Sequence, residues 1–547
     1  MIYRNRSVID YILLSIPLLL VIIFTVYPVA FVILQGLLYD LTESPLEILS
    51  SVLTYRALVF SFVETVLSVA VTVVLGLPGA FIFSKLNFHG RKTIQTLLIV
   101  PFILPPIVVV VGFLRVFGSF GWLDSFLMVL SGSSTSVIDL ASGLTGIVLA
   151  HAFYNIPLVI LMVSASLSQI NSELEESAEI LGANSIQKFR KIILPQILPS
   201  LLVASLLTAL FCFVSFPIVL TLGGSRYKTL EILIYESFLS TDYGKTSTIA
   251  LMQIILTILI TVFYFRASRK SQQNGMSSPF SKKTSFRDLS AKFKFLLIFY
   301  GAIMIILVAG PILAIIQSAF YNPLANEYTL SGIITVFSSG ASGGLGPLIN
   351  SVLYATLATL LAIFLSIPLA YSSRISLKGI TQLNTILVLF PLGVSSITLA
   401  YGLMIAIAVP LNVVWPIIVI AQTIIALPFC VKSIESAIEK MEQNILDQAD
   451  ILGASRLQRL FYVELPLVSP GIVVGAVFAF AMAIGEMSAT LFIAGPENYT
   501  LAVIIYTYLS ARRFVDAGAA ALILVAVCVI SFIIINRLSE TSFGDVF

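Results

Sequence analysis

The sequence predicts an all-α polytopic membrane protein with about twelve transmembrane helices. Of its 547 residues, 58% are hydrophobic and only 10% are charged, whereas soluble proteins average about 25% charged residues. The apolar residues form long continuous runs, and about 20 such residues suffice for a helix to cross the hydrocarbon core. A transmembrane barrel alternates apolar and polar side chains, so continuous runs favour helices.

The apolar runs divide the chain into six predicted spans, a polar linker and six further spans. The spans lie near 8–35, 57–84, 94–117, 143–168, 197–222, 247–266, 294–320, 348–373, 383–409, 413–434, 468–494 and 515–536. The linker is rich in Ser, Gln and Lys and is predicted to be flexible, because it cannot bury enough apolar surface to fold alone. The predicted domains are therefore a first half at 1–266, a cytoplasmic linker at 267–292 and a second half at 293–547.

The two halves repeat each other. Pro157 and Pro428 lie 271 residues apart, whereas Gly112 and Gly402 lie 290 residues apart. The extra length falls in segment 123–143, which is rich in Ser and Gly. An even number of spans per repeat gives both halves the same orientation, so we expect parallel and not inverted repeats.

The distribution of basic residues orients the chain. Placing the amino terminus in the cytoplasm puts most of the 30 Lys and Arg residues on the cytoplasmic side, as the positive-inside rule requires. Both termini are then cytoplasmic and segment 123–143 faces outward. The net charge of +3 is small and no single basic patch is present, so the sequence gives no reason to propose nucleic acid as a partner.

Each half contains one polar stretch that is predicted to be helical, at 176–199 and 447–470, and both copies fall on the cytoplasmic side. In the first copy Leu174, Ala178 and Leu181 follow helical spacing and are expected on one face. Gly182 and its repeat partner Gly453 are expected to end the helices, because glycine tolerates positive φ. Ser172 and Asn444 are the predicted N-caps of the two copies.

Two interpretations of these stretches stay open from the residues alone. One is an amphipathic helix that lies among lipid headgroups. The other is a surface that docks against a partner protein. Interfacial helices use large apolar anchors and a basic polar face, whereas the first turns here are acidic and carry small residues, which favours docking.

The spacing of these residues resembles the signature loop of permease subunits in binding-protein-dependent ABC importers: Glu-Ala-Ala, three residues, Gly, and a Pro thirteen residues later. The first copy has Ser177 in place of the first Ala, and the second has Asp447 and Gln448 in place of Glu-Ala. The six-plus-six arrangement further resembles the fused permeases of ferric-iron and thiamine importers. The positions that carry the resemblance are Glu176, Ser177, Ala178, Gly182, Ala183, Pro195, Asp447, Gln448, Ala449, Gly453, Ala454 and Pro466.

The resemblance implies a type I importer permease with coupling loops at about 171–195 and 443–466. It implies two copies of a separate ABC ATPase as partners, an extracytoplasmic substrate-binding protein and a location in the plasma (inner) membrane. Its substrate would be ferric iron or a thiamine-like solute. The chain contains no GxxxxGK[ST] loop, so we expect no enzyme activity and no bound cofactor in this chain, with ATP held by the partner.

Ionisable side chains within predicted spans are candidates for the translocation pathway, because burying them in lipid is costly. They are Glu64, His151 and Glu486, together with Ser215, the repeat partner of Glu486. An interhelical hydrogen bond explains each of them equally well. Three separate cysteines show no metal-ligand spacing, and we expect no metal site.

A secondary carrier of the major-facilitator type is the alternative function, because it also has parallel six-plus-six repeats. The loop NFHGRKT after the second span faintly resembles the basic loop of that family, although the acidic residue is missing and the second half has no copy. A scaffold protein without transport activity would leave the repeated loops unexplained.

Overall fold

The computed structural model describes residues 8–38, 44–98, 100–273, 284–285, 289–323, 325–340, 343–372, 378–411 and 414–538. Half of the predicted linker, 274–283 and 286–288, lies outside these residues. The helices up to the linker are α1 (Val8–Val21), α2 (Tyr27–Leu38), α3 (Pro45–Ser50), α4 (Val52–Lys85), α5 (Arg91–Leu97), α6 (Val100–Ile103), α7 (Pro106–Phe117), α8 (Trp122–Ser131), α9 (Gly143–Ser168), α10 (Ser172–Ile180), α11 (Ser185–Lys188), α12 (Leu194–Phe213), α13 (Pro217–Leu222), α14 (Leu230–Leu239) and α15 (Tyr243–Gln273).

Fourteen further α-helices of the described residues follow the linker. They are α16 (Ala291–Met304), α17 (Gly310–Ser318), α18 (Ser331–Phe337), α19 (Leu345–Tyr371), α20 (Lys378–Leu389), α21 (Ser396–Leu403), α22 (Val409–Leu411), α23 (Trp415–Glu439), α24 (Gln443–Ile451), α25 (Arg456–Arg459), α26 (Leu465–Ile484), α27 (Ser488–Ile493), α28 (Leu501–Ser510) and α29 (Phe514–Leu538). Two small ladders complete the structure: β1 (Leu86–Asn87) pairs in parallel with β2 (Thr284–Ser285), and β3 (Tyr321–Asn322) pairs antiparallel with β4 (Glu327–Tyr328).

The described helices confirm a polytopic all-α protein. Eleven helices are long and apolar enough to cross a membrane, and a bent pair raises the number to twelve. The predicted third span, 94–117, is not continuous, because its helix breaks before Pro105 and the long apolar helix is instead Pro106–Ser131. The ninth span bends by 104° between Gly393 and Ser396.

The chain forms two compact units that differ from the sequence halves. One unit comprises residues 43–318, and the other comprises 1–42 together with 319–547. Each unit therefore combines the first span of one repeat with the later spans of the other: α16 and α17 join α3 to α15, and α1 and α2 join α18 to α29. In the first unit α4, α9 and α12 pack together, and in the second their repeat partners α19, α23 and α26 do the same. The domain boundaries at 266 and 293 remain a prediction from the sequence repeat.

Each unit contains one close approach between a glycine and the backbone of the exchanged helix. In residues 43–318, a Cβ on Gly112 of α7 would lie 2.2 Å from the carbonyl oxygen of Pro311 in α17. In the other unit, a Cβ on Gly402 of α21 would lie 2.7 Å from the carbonyl oxygen of Pro28 in α2. Only glycine permits these contacts, which explains why the two positions repeat in the sequence.

Wider helical turns accompany a set of prolines. Proline lacks an N–H and its ring clashes with the carbonyl four residues back. Among the described residues, each π-helical turn ends two residues before a proline, and the intervening residue bonds to the carbonyl five residues back, as Tyr27 does to Ile22. The turns are Ile22–Val26, Phe189–Ile193, Ile305–Ala309, Met404–Ala408 and Leu460–Glu464. The helices thus continue through these prolines without a full break.

Candidate functional site

The two repeated polar stretches fold into the same helix–turn–helix loop. In the first copy α10 ends in a left-handed turn at Gly182, whose φ is 80°. Ala183 N donates to Ala178 O at 2.9 Å, and Gly182 N donates to Glu179 O at 2.9 Å. These two bonds form a Schellman motif, which satisfies the last carbonyls of a helix and requires the positive φ that glycine adopts readily.

The second copy repeats this turn residue for residue. Gly453 has a φ of 81°, Ala454 N donates to Ala449 O at 3.1 Å, and Gly453 N donates to Asp450 O at 3.1 Å. The glycine of the sequence motif is thus explained by the turn geometry. Both glycines confirm the expected positive φ.

A capping box starts the second short helix of each loop. Asn184 Oδ1 accepts from Gln187 N at 2.8 Å, and the Gln187 side chain accepts from Asn184 N at 3.0 Å. Ser455 and Gln458 form the same reciprocal pair, at 3.4 and 2.8 Å. Each box satisfies backbone donors that the start of a helix leaves open.

An ion pair closes each loop across its glycine turn. Lys188 of α11 pairs with Glu179 of α10. At the equivalent positions, Arg459 Nη1 lies 2.8 Å from Asp450 Oδ2, and Arg459 Nε also lies 2.8 Å from Glu464 Oε1. The ion pair joins the two short helices across the turn, and Arg459 contacts a second carboxylate, Glu464, on its own side of the turn.

The tip of each loop exposes a pair of large apolar side chains. Ile180 and Leu181 are 87% and 86% exposed, and their repeat partners Ile451 and Leu452 are 83% and 86% exposed. They stand on polar loops that also expose Ile186 and Leu457, at 76% and 56%, and the tip residues belong to none of the candidate membrane spans of the described chain. Exposed apolar groups that repeat on a polar surface are typical of interaction sites.

The structure places the other motif residues around this tip. The exposed members are Glu176, Ser177, Gly182, Pro195, Asp447, Gln448, Gly453 and Pro466, the half-buried members are Ala178, Ala183 and Ala454, and Ala449 is buried. The alanines are therefore less exposed than the Ile-Leu tip, and the expectation that Leu174, Ala178 and Leu181 share one helical face stays a prediction. The sequence signal for the tip was the identity of Ile180/Ile451 and Leu181/Leu452 within polar stretches.

The two loops are anchored by different chemistry. Glu175 of α10 forms an ion pair with Lys85 at the end of α4. Its repeat partner in α24 is Leu446, which is buried. The caps also differ from those predicted: Asn171, not Ser172, caps α10 through a bond from Glu173 N, and Asn444 does not cap α24, which begins after Glu442.

A buried polar cluster lies among α4, α9 and α12 in the first unit. Glu64 Oε1 lies 2.5 Å from His151 Nδ1, and Ser68 Oγ lies 3.0 Å from Glu64 Oε1 and 3.2 Å from His151 Nδ1. Cys212 joins them, so that donor atoms of Glu64, His151 and Cys212 all lie within 4.8 Å of one another. Asn155 donates to Cys212 Sγ at 3.8 Å. Glu64 and His151, which the sequence singled out separately, are thus in contact, and Cys212 is the member that the sequence did not indicate. Their place on the translocation pathway remains a prediction.

Glu486 caps a helix in the second unit. Its carboxylate accepts from Ala489 N at 2.7 Å, from Thr490 N at 3.0 Å and from Thr490 Oγ1 at 2.9 Å. These bonds start α27 after the break that follows α26. Ser215 lies half-buried at the equivalent break between α12 and α13. The hydrogen bonds give Glu486 a structural role, and a place on the translocation pathway remains a prediction for both residues.

Glu231 is a buried ionisable residue that the sequence reading missed. It lies in the first turn of α14, and Gln253 of α15 donates to its carboxylate at 2.5 Å. Both side chains are fully buried. The signal was an acidic residue in the apolar run LEILIYESFL, which fell between two predicted spans.

Segment 123–143 is organised around one buried carboxylate. Asp124 of α8 accepts from Phe120 N at 2.8 Å, from Val137 N at 2.7 Å and from Ile138 N at 2.9 Å. The bonds from Val137 and Ile138 hold the loop after α8 against that helix. The longer outward segment of the first repeat therefore has a defined local structure.

Repeated apolar spans and a repeated polar loop define a polytopic membrane protein made of two related halves. The chain belongs to the family of binding-protein-dependent transport system inner membrane components, whose model matches residues 73–274 and 289–543. This membership confirms the resemblance in the sequence and the permease fold class.

Known permeases match most of the chain. It is 27% identical to the thiamine transport system permease protein ThiP of Haemophilus influenzae, with 88% of each chain covered. It is 26% identical to ThiP of Escherichia coli, again with 88% of each covered. It is 25% identical to the Fe(3+)-transport system permease protein FbpB 2 of Haemophilus influenzae, over 82% of this chain and 83% of that protein.

Among solved structures, a bacterial ABC transporter involved in the import of the acidic polysaccharide alginate matches with a TM-score of 0.40 and 18% identity. That match covers 48% of this chain and 95% of the other.

Proposed function

We propose that this chain forms the translocation pathway of an ATP-driven importer in the inner membrane, with both termini in the cytoplasm, and that its two loops dock into separate ATPase subunits. One observation carries the proposal: two loops with the same Schellman turn, capping box and ion pair each present an exposed Ile-Leu pair. Two like surfaces on one chain suit two copies of one partner.

Energy for transport would come from the partner, because this sequence lacks a phosphate-binding GxxxxGK[ST] loop. Closure of two ATPase subunits would move the two loops and so shift the equilibrium between inward-facing and outward-facing states. The short helices, fixed by the Lys188–Glu179 and Arg459–Asp450 pairs, suit the transfer of such a displacement into α12 and α26.

The loops can be tested by placing a charge at their tips. Leu181→Asp and Leu452→Asp are expected to reduce copurification of the ATPase subunits and to lower ATP-dependent uptake, because a carboxylate would be desolvated at the interface. Leu46→Asp makes the same change at a leucine that is 78% exposed in α3 and is expected to leave both unchanged. Normal copurification with both tip variants would contradict the docking role.

Substitution of the turn glycines provides a second test. Gly182→Arg and Gly453→Arg force a bulky residue into a φ of about 80°, and we expect them to abolish uptake while capture of substrate by the external binding protein is kept. Uptake at the parent rate in both variants would exclude a coupling role for the turns.

Thiamine-like solutes and ferric iron are the proposed substrates, because the relatives are named for thiamine and Fe(3+) transport. The external binding protein would select between them, and segment 123–143 is proposed as an additional contact for it. Uptake of labelled thiamine and of ferric iron by proteoliposomes that contain the full assembly would decide between the two. Deletion of 123–143 is expected to weaken docking of the binding protein.

A secondary carrier of the major-facilitator type is not favoured, because membership of the binding-protein-dependent family covers both halves. Uptake driven by an ion gradient, with no ATPase present, would reverse this conclusion.

A further inference from the structure

We propose that Glu64, His151 and Cys212 form a site for a thiophilic divalent transition-metal ion, such as Zn²⁺, between α4, α9 and α12. A carboxylate, an imidazole and a thiol are the ligand types that zinc takes in proteins. All three side chains are buried, and their donor atoms lie within 4.8 Å of one another. This site is not evident from the sequence, because each donor comes from a different helix.

One buried nitrogen of the cluster has no hydrogen-bond partner. His151 Nδ1 contacts Glu64 and Ser68, but His151 Nε2 is buried without a hydrogen-bond partner. A buried polar atom without a partner costs free energy, and native structures usually retain such an atom for a reason. A metal bound at Nδ1, beside Glu64, leaves Nε2 without a partner, so the proposal rests on the grouping of the three donors and not on this atom.

The distances allow a metal ion after small side-chain movements. Tetrahedral zinc with bonds of about 2.0–2.3 Å holds its ligand atoms roughly 3.3–3.7 Å apart. The longest separation of 4.8 Å must therefore close by about 1 Å, and the Glu64–His151 contact of 2.5 Å must open by a similar amount. Ser68 Oγ, which contacts both residues, is placed to supply the fourth ligand.

Charge balance favours a divalent ion in this apolar setting. A metal ion binds the thiolate and the neutral imidazole, and any proton that these groups carry is released to solvent when M²⁺ binds. The product contains M²⁺, one carboxylate, one thiolate and a neutral imidazole, so its net charge is zero. A neutral centre avoids the large cost of an uncompensated charge in a low-dielectric interior.

The site belongs to the first repeat alone. The two sequence offsets place Tyr354, Gln422 and Ala483 at the equivalent positions, and none of these offers a carboxylate, an imidazole or a thiol. Ferric iron prefers oxygen donors, so a thiol-containing site does not suit it as transported cargo. We therefore infer a regulatory and not a transport role for the bound metal.

A metal ion bound at this site would link three helices that adjoin the first loop. α9 leads into that loop, α12 leaves it, and α4 contacts it through Lys85 and Glu175. An ion that bridges α4, α9 and α12 would hold them in one arrangement and slow any cycle that moves them. This consequence rests on the proposed function, whereas metal binding itself does not.

Cobalt binding tests the site directly. Titration of Co²⁺ into the purified full chain is expected to produce a thiolate-to-cobalt charge-transfer band that Zn²⁺ removes by competition. Cys212→Ser should abolish the band, whereas Cys430→Ser and Cys528→Ser, at the two other buried thiols, should keep it. His151→Gln and Glu64→Gln should weaken cobalt affinity at least about tenfold. No band in the parent chain, or an unchanged band in Cys212→Ser, would overturn the proposal.

A measurement on the parent chain guards against misfolded variants. Zn²⁺ is expected to slow alkylation of Cys212 by a maleimide, followed by mass spectrometry of peptides, while the rates at Cys430 and Cys528 stay the same. Equal slowing at all three thiols, or none at Cys212, would refute the site. If Zn²⁺ inhibits uptake by the parent chain but not by Cys212→Ala, the regulatory role is supported. If uptake is insensitive to Zn²⁺, that role is excluded. The cobalt titration decides separately whether the metal site exists.

Discussion

The contact between Gly112 of α7 and the backbone of Pro311 in α17 allows a quantitative test of how these two helices pack. An alanine Cβ at Gly112 would lie 2.2 Å from the Pro311 carbonyl oxygen, where separations below 3.0 Å are essentially never found. The backbones must therefore move apart by at least 0.8 Å. Overpacking of this kind costs about 1–3 kcal/mol. Gly402→Ala needs a smaller shift, of 0.3 Å, against Pro28, and we expect a smaller cost.

Thermal unfolding of the purified chain in detergent measures this effect. Gly112→Ala is expected to lower the apparent melting temperature more than Gly402→Ala does. Gly301→Ala in α16 is the matched control, because nothing lies within 4 Å of its added Cβ, and alanine favours a helix interior by up to about 1 kcal/mol. A Gly112→Ala chain that melts at or above the parent temperature would refute the packing of α7 against α17.

Three further predictions concern capping and the loops. Ser351→Ala removes the acceptor that lies 2.7 Å from Leu501 N at the start of α28, and leaving that donor unpaired should cost about 1–3 kcal/mol, measured as a lower melting temperature. Arg459→Gln should raise hydrogen exchange in the second loop more than Lys188→Gln does in the first, because Arg459 holds two carboxylates. Glu486→Gln should destabilise the protein less than Glu486→Leu, because the amide keeps one acceptor oxygen for the start of α27. Equal effects of the two variants compared at the loops or at Glu486, or an unchanged melting temperature in Ser351→Ala, would contradict the assigned contacts.

The sequence predicted the features that depend on local pattern. Apolar runs located the spans, and Gly182 and Gly453 located the two loop turns, since a left-handed residue after a helix favours glycine. The bent third and ninth spans escaped prediction, because apolar composition does not show where a helix changes direction. The exchange of helices between units also escaped it, because contacts such as Gly112 with Pro311 join residues far apart in sequence.

The buried clusters were only partly predictable for the same reason. Glu64 and His151 stood out as ionisable residues in apolar runs. Nothing in the sequence indicated that Cys212 meets them, because a lone cysteine in a span is usually a small packing residue. Glu486 also stood out, but its role as a helix cap depends on the break before α27, which the apolar run conceals.

Symmetry between the repeats is kept in the loops and lost in the buried polar groups, and docking to two copies of one ATPase would explain this contrast. Two identical partners require two similar surfaces, whereas the interior has no such requirement. A loop exchange tests the explanation. Replacing 172–188 with the sequence of 443–459, which aligns without a gap, is expected to preserve ATPase docking and uptake.

The exchange changes one anchor, and the design must correct for it. Glu175 becomes leucine at that position, as in Leu446, so Lys85 loses its ion-pair partner. A partly buried lysine without its partner is unfavourable, so Lys85→Met should accompany the exchange. We expect the exchanged chain with Lys85→Met to take up substrate better than the exchanged chain alone. If both assemble with the ATPase and neither transports, the loops are not equivalent, and the difference between the Glu175 and Leu446 anchors is part of the coupling.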